Sequence, residues 1–553
     1  MITINDNTVA VETSAELKSI LEADNNIDYI YLAQDITLAQ GITILGTKTQ
    51  VTIDGLYPTD GTGIIHTYTD MNSAGSADAI GVRTASSIHV KVKNLNVVGK
   101  NYYGLIYISE TSAHKDVVVT YENITYNGPQ ITYHPSGLSI YQDMNINIMA
   151  STASPSNEVG EVGSVQMGGK ITITHNSTGD STFWFRGTTG TPYIEVLENA
   201  DVSITTARDI AYMSTYYLKV IINKNAKFDI KSKYGFFRDN GHQASSILID
   251  ENSIFSLIQT QANGSVATIN CRGDFSINKG ATVYIEANYQ NSAPLILFNT
   301  TSSKFNVSNP KSVILYNKSY ACLGLGNTST FSINCGKLDY WLTSPELIET
   351  GSIENNPLYA WYKSGTENLS INATVTSSKT TITSSNLTDA EKEKLPDLSL
   401  LTFQTAKTLR FVEFGTLELI SAPSRIEFQR PIIKENPLIL GRKNEEITIL
   451  VSDSRVVSSE WYLYAYIEKP LTSLNKKYTL KDSLIFVDET GEIKTLSDTP
   501  TLVYTGVSTG GTAKTTNIIW NKSDGILFQV IEALYNGETY TAQINWILTD
   551  EKI

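Results

Sequence analysis

The sequence predicts an all-β protein: a right-handed parallel β-helix with an N-terminal capping helix, followed by a C-terminal β-sandwich. Three observations lead there. From Tyr29 onward the chain breaks into short alternating segments separated by Gly, Asn and Asp, too closely spaced for βαβ crossovers. An apolar alternation then returns at a regular interval. Beyond a Ser/Thr-rich stretch, strand-like runs resume without that interval.

The one convincing helix near the start follows Thr13, which has capping-box spacing to Glu16, and Leu17, Ile20 and Leu21 share one of its faces. It reads as a lid over the open end of a stack of strands, where unpaired edges invite aggregation. Strands are expected at 29–32, 36–38, 42–44 and 51–53, the last followed by Asp54-Gly55.

The repeat is clearest where an Asn-Ala or Gly-Ala type turn precedes the alternation: Ala200 with Val202 and Ile204, Ala226 with Phe228 and Ile230, Ser253 with Phe255 and Leu257, Ala281 with Val283 and Ile285. The first apolar position steps through 202, 228, 255 and 283, giving spacings of 26, 27 and 28, and the series is expected to continue at Phe305 and Phe331. Such a repeat reads as stacked coils sharing one apolar interior. A large antiparallel sandwich would show turn signals every ~8–12 residues and no longer period. The expected domains are a β-helix over 1–342, a linker or domain edge over 343–395 and a β-sandwich over 396–553.

Composition narrows the function. With 42 Lys and Arg against 56 Asp and Glu the net charge is 42 − 56 = −14, and charged residues make up only 18% of the 553 residues, against ~25% in typical soluble proteins. Surface polarity comes from Asn, Ser, Thr and 30 Tyr. Nucleic acid is excluded as a partner, because phosphate neutralisation needs clustered Lys and Arg. No run reaches the ~18 apolar residues of a membrane span. Cys271, Cys322 and Cys335 lack zinc or redox spacing and read as buried small hydrophobes. The six histidines show no metal-ligand spacing, and no cofactor is expected. Met1 to Ile20 does not read as a secretory leader, so either a leader was removed or there was none.

Two Trp-x-Leu triplets, Trp461-Tyr462-Leu463 and Trp546-Ile547-Leu548, lie in strand-like runs, and Gly415 to Leu419 leads to Pro423 to Phe428 ahead of them. This arrangement, over about Leu400 to Ile553, resembles the WxL domain of Gram-positive surface proteins. The resemblance implies non-covalent attachment to the cell wall through peptidoglycan, with Trp461, Leu463, Trp546 and Leu548 as the wall-binding motif. Residue spacing alone says that Trp and Leu of each triplet share one strand face, which in a sandwich is usually the core.

The N-terminal block resembles a second family. Val51-Thr52-Ile53-Asp54-Gly55, the run from Tyr121 to Gln130, and Phe183-Trp184-Phe185 are similar to the pectate-lyase-like adhesive domain that often accompanies WxL domains. The resemblance covers about Val9 to Trp341 and implies a structural, adhesive role.

A lyase would need a basic side chain beside several calcium-binding carboxylates on adjacent coils. The best candidates are Arg186, Arg208-Asp209, Arg238-Asp239 and Arg272, whose spacings of 22, 30 and 34 lie near the coil period without holding it. The alternative reading has the Arg-Asp pairs satisfying turns. Trp184, Tyr212, Tyr216, Tyr217, Phe236 and Phe237 form either a sugar-stacking strip or an interior ladder.

The leading expectation is a non-enzymatic, wall-associated extracellular adhesin whose partner is peptidoglycan or another wall glycan, with other surface proteins as possible partners. The alternatives are a phage or phage-tail-like particle protein that attaches to the host wall, among other virion proteins, and a polysaccharide lyase acting on uronic-acid glycans.

Overall fold

The computed structural model describes residues 1–58, 63–149, 157–186, 190–214, 217–289, 292–300, 303–349, 352–353, 357–363, 367–428, 438–455, 459–475, 477–508, 514–531, 538–550 and 552. The chain forms two compact units, Met1–Trp361 with Asn368–Glu413, and Tyr362–Glu367 with Phe414–Ile553.

The first unit is a β-solenoid of about 11 turns. The strands of successive coils pair in parallel, and the pairing aligns equivalent side chains from coil to coil. One inward column runs through Leu95, Ile124, Met144, Ile171, Val202, Phe228, Phe255, Val283 and Val313. A second runs through Val165, Ile194, Val220, Ile247, Phe275, Phe305 and Phe331. All of these residues are buried, and together they build one continuous core.

The Asn-Ala and Gly-Ala turns have a conformational cause. Asn199, Asn225 and Asn252 adopt φ of 61°, 57° and 56°, and Gly280 has φ of 72°. Asn and Gly enter this left-handed region at the least cost. The Asn225 amide also donates to Asn199 Oδ1 at 3.2 Å, so neighbouring coils are joined through these turns.

The expected continuation of the repeat needs correction. Val283 is followed in its column by Val313, whereas Phe305 and Phe331 continue the column of Phe275. Each coil carries more than one strand with the same alternation, so spacing alone does not tell which sheet a given Phe joins.

The expected domain edges also move. Residues 343–395 are not a bare linker: within them Leu369–Val375 pairs antiparallel with Ser329–Cys335 and with Thr380–Ser385. Thr408–Val412 pairs antiparallel with both Ser312–Asn317 and Lys337–Trp341. Arg410 Nη2 lies 2.6 Å from the buried Asp339 Oδ2 and pins the returning strand. These strands cover edges that the last coils would otherwise leave unpaired, so the solenoid unit ends at Glu413 and not at 342.

At the other end, Ser14–Glu22 is helical, with Thr13 Oγ1 accepting from the Glu16 N–H at 3.2 Å. Leu17, Ile20 and Leu21 are buried in the solenoid core.

Among the described residues of the second unit every strand pair is antiparallel. Leu417–Ser421 and Lys514–Trp520 flank Ile447–Asp453. Gly525–Val530 lies between Leu438–Leu440 and Leu484–Val487, the latter also pairing with Ile493–Thr495. Glu460–Ser473 pairs with Thr501–Val507 and Tyr540–Thr549. These sheets share a core centred on Trp461, Leu463, Phe486 and Trp520.

Candidate functional site

The three-residue strands of the solenoid set the site. In Phe183–Phe185 the outer two side chains point into the core and Trp184, between them, is half-buried on the outside. Period-2 alternation requires this. Pairing then places Gly81, Tyr107, Tyr133, Glu161, Trp184 and Tyr212 in one row across six strands.

Side chains along the row touch. Tyr107 and Tyr133 stack with ring centroids 5.2 Å apart and planes at 25°, and Tyr103 meets both edge-on at 5.2 and 5.1 Å. Gly81 leaves room for the Arg83 guanidinium, which lies 4.9 Å from the Tyr107 ring centre. Arg186 lies 4.8 Å from the Trp184 ring centre and 5.9 Å from that of Tyr133. Trp184 meets Tyr212 edge-on at 5.5 Å, and Arg238 lies 4.8 Å from the Tyr212 ring centre. Such cation–ring contacts hold aromatic faces in fixed orientations.

Arg186 is also the electrostatic centre of the row. Its Nη2 lies 2.8 Å from Glu110 Oε2, and its Nη1 donates to Glu161 Oε2 at 2.8 Å and to the Tyr133 hydroxyl at 3.2 Å. The Tyr102 hydroxyl donates to Glu161 Oε1 at 3.1 Å. Burial raises the Glu161 pKa, and Arg186 opposes that rise. Nearby Glu158 is almost fully buried, and its Oε2 has no hydrogen-bond partner among the described residues. Burial first, and then the charge of Glu161, push the Glu158 carboxyl up to about 8. The shift favours its protonated form at neutral pH.

The sequence candidates divide. Trp184, whose Nε1 donates to Ser214 Oγ at 2.7 Å, and Tyr212 belong to the row. Tyr217 is exposed, with Arg272 4.2 Å from its ring centre. Tyr216 lies outside the described residues. Phe236 and Phe237 are interior. The arginine ladder does not hold together. Arg186 and Arg238 reach the aromatic row, whereas Arg208 Nη1 donates to the Thr178 and Gly179 carbonyls at 2.9 and 3.2 Å. Asp209 is buried and accepts from Ser181 Oγ and from Arg208 Nε, the latter at 3.2 Å. Asp239 accepts from the Gly241 N–H at 2.7 Å and pairs with His242 Nδ1 at 2.8 Å. These are turn contacts. Among the described residues no three His, Cys, Asp or Glu converge as metal ligands.

Sequence reasoning missed Tyr102, Tyr103, Tyr107, Tyr133, Glu110, Glu158 and Glu161. A signal was present for two of them. Ile106-Tyr107-Ile108 has the same apolar–aromatic–apolar form as Phe183-Trp184-Phe185, and Tyr133 follows Tyr107 by 26 residues.

The two Trp-x-Leu triplets lie on neighbouring antiparallel strands, with Leu463 opposite Leu548 and Ala465 opposite Trp546. Trp461 and Leu463 are buried, at 1% and 0% exposure, while Trp546 and Leu548 are half-buried against the same core. Trp461 lies 5.4 Å from the Tyr504 ring, and Trp546 stacks on Trp520 at 6.0 Å with planes at 23°. A Cβ on Gly506 would come within 2.1 Å of the Trp461 indole, so that position accepts only glycine.

Comparison with known proteins places the N-terminal coils. Residues 8–133 match the family described as "Putative pectate lyase-like adhesive domain". That segment holds Tyr102, Tyr103, Tyr107 and Tyr133 and stops short of Trp184. The solved structure named "L. reuteri 53608 SRRP" is similar at 17% identity, covering 58% of this chain and 98% of that one, with a TM-score of 0.35. No curated protein matches. The first part of the chain is thus similar to a pectate lyase-like adhesive domain, carried on a β-solenoid. No helix among the described residues is long and apolar enough to cross a membrane.

Proposed function

We propose that this protein is a non-enzymatic surface adhesin whose solenoid reads glycan through the half-buried Tyr107, Trp184 and Tyr212 of the row, with the buried Tyr133 and Glu161 behind them. The single observation that carries the reading is that row: aromatic faces repeated at coil spacing and backed by arginines. Sugar rings lay their apolar C–H faces on aromatic rings, and a row of shallow contacts favours avidity along a polymer over one tight pocket. Arg186 supports this role better than catalysis. Glu110 and Glu161 hold it, so it orients Trp184 and Tyr133 more than it offers a base. The match of residues 8–133 to an adhesive-type domain supports the same reading.

In this proposal the helix at Ser14–Glu22 caps the first coil, and the antiparallel second unit is a WxL-like β-sandwich that holds the protein to peptidoglycan. The paired triplets support that anchor as its packed frame, with Trp546 as the side chain best placed to reach a ligand.

The test is co-sedimentation of the full chain with purified Gram-positive peptidoglycan, together with binding to immobilised polysaccharides. The full chain is expected to sediment and residues 1–413 to remain in the supernatant. Trp184→Ala is expected to weaken polysaccharide capture about tenfold or more, given that several stacked contacts act together. New unsaturated or reducing ends on any polysaccharide would overturn the non-enzymatic assignment.

A further inference from the structure

A second site lies on a different sheet of the first coils. Pairing puts Tyr31, Asp54 and Lys93 in one row of neighbouring strands, apart from the row of Tyr107 and Trp184. Around it opens a cleft of about 460 Å³ lined by Tyr29, Tyr31, Tyr57, Asp54, Lys93 and Asn94, within the ~300–1,000 Å³ usual for small-molecule sites. Tyr29 and Tyr31 have ring centroids 4.8 Å apart, and Tyr31 and Tyr57 5.8 Å apart, with planes tilted by 47° and 52°. Three rings thus form an angled aromatic wall.

The polar side of the cleft is built on a buried carboxylate. Asp54 is 3% exposed, and its Oδ1 accepts from the Leu56 N–H at 3.0 Å and from Asn94 Nδ2 at 2.9 Å. Its Oδ2 accepts from the Tyr29 hydroxyl at 2.6 Å and lies 3.3 Å from Lys93 Nζ. Four partners saturate this carboxylate, so its role is to hold Lys93, Asn94 and Tyr29 in place. Lys93, 5.4 Å from the Tyr29 ring centre, directs one N–H at Asp54 and keeps others for a ligand oxygen. The fixed turn is required as well: Asn94 has φ of 50°, and a Cβ on Gly55 would come within 2.1 Å of the Asn94 carbonyl oxygen.

We infer that this cleft binds one neutral pyranose unit, with a C–H face against the tyrosines and hydroxyls toward Lys93 and Asn94. Charge selects the class. Lys93 and Asp54 cancel, so a carboxylated sugar would have to compete with Asp54 for the lysine, and a cation would meet Lys93. The site stands whether or not the Trp184 row binds glycan.

Saturation-transfer difference NMR on the full chain tests it, with methyl glucoside, methyl galactoside and N-acetylglucosamine as probes and galacturonic acid as the charged control. The expected result is transfer to the ring protons of at least one neutral sugar. Tyr31→Ala should weaken it about tenfold, the loss of one main contact, and Lys93→Met severalfold. Tyr320→Ala, which alters an exposed tyrosine outside both rows, should leave it unchanged. Thermal melts followed by circular dichroism identify any variant that fails to fold; should Tyr31→Ala do so, Lys93→Met decides. Absence of transfer from all three neutral sugars, binding of galacturonic acid alone, or unchanged affinity in the folded variants would each overturn the assignment.

Discussion

The two units use the same two-residue alternation and put their aromatic residues to opposite ends. In the solenoid, Phe183 and Phe185 fill the interior while Trp184 lies outside between them. In the second unit Trp461 and Leu463, also two apart, face inward together and are sealed by Tyr504 and Gly506. The contrast follows from how each core is closed. A solenoid coil leaves the middle position of each three-residue strand on an outer surface that repeats from coil to coil, so outward aromatics fall into rows. An antiparallel unit with one core has no such repeat, and its tryptophans serve first as packing.

The largest test of this contrast is Trp461→Ala, which should cost about 3–5 kcal/mol, as large-to-small core substitutions do. In calorimetry it should lower one unfolding transition and leave that of the solenoid in place. A mutation that spared both transitions while abolishing wall binding would break the comparison, because it would make Trp461 a ligand contact.

A pH-dependent effect is expected at Glu158, and its sign can be worked out. The carboxyl titrates near 4.5 when unfolded and at about 8 when folded, so between these values the native state holds a proton that the unfolded state has released. Stability therefore falls as pH rises through that window, by at most about 5 kcal/mol, and levels off above it. Glu158→Gln should remove this slope and raise the melting temperature at pH 8 more than at pH 4.5. An unchanged slope would show that the row carries no buried neutral acid.

The smallest effect concerns the turns that join the coils. Asn225→Ala should cost about 1 kcal/mol, for a left-handed backbone without its favoured residue and for the lost bond to Asn199. Asn225→Gly should recover most of the conformational part. Chemical denaturation measures both, and equal losses would assign the whole effect to the hydrogen bond.

Much of this was legible beforehand. The alternation and the 26-to-28 spacing predicted the parallel coils, and Asn-Ala and Gly-Ala pairs marked their turns, because each of these signals is local and repeats. The helix after Thr13 was legible for the same reason: its cap and apolar face lie within nine residues. The column to which Phe305 belongs was not, since two sheets of one coil present the same pattern. Nor was the return of residues 369–412, whose pairing reaches back across about 34 to 100 positions and leaves no period behind.

The candidate site shows the same division. Trp184 and Tyr212 could be picked out because they stand between apolar neighbours. Glu158, Glu161 and Tyr102 could not, because their roles come from burial and from partners as far as 59 residues away. Sequence by itself determined that the chain stacks β-coils, turns them at left-handed Asn and Gly, and follows them with a differently patterned block. Tertiary structure alone decided which aromatics align across coils, which carboxylates lose their charge and where the solenoid ends. These depend on register between distant strands, and register is set by the packing of a whole interior rather than by any local run of residues.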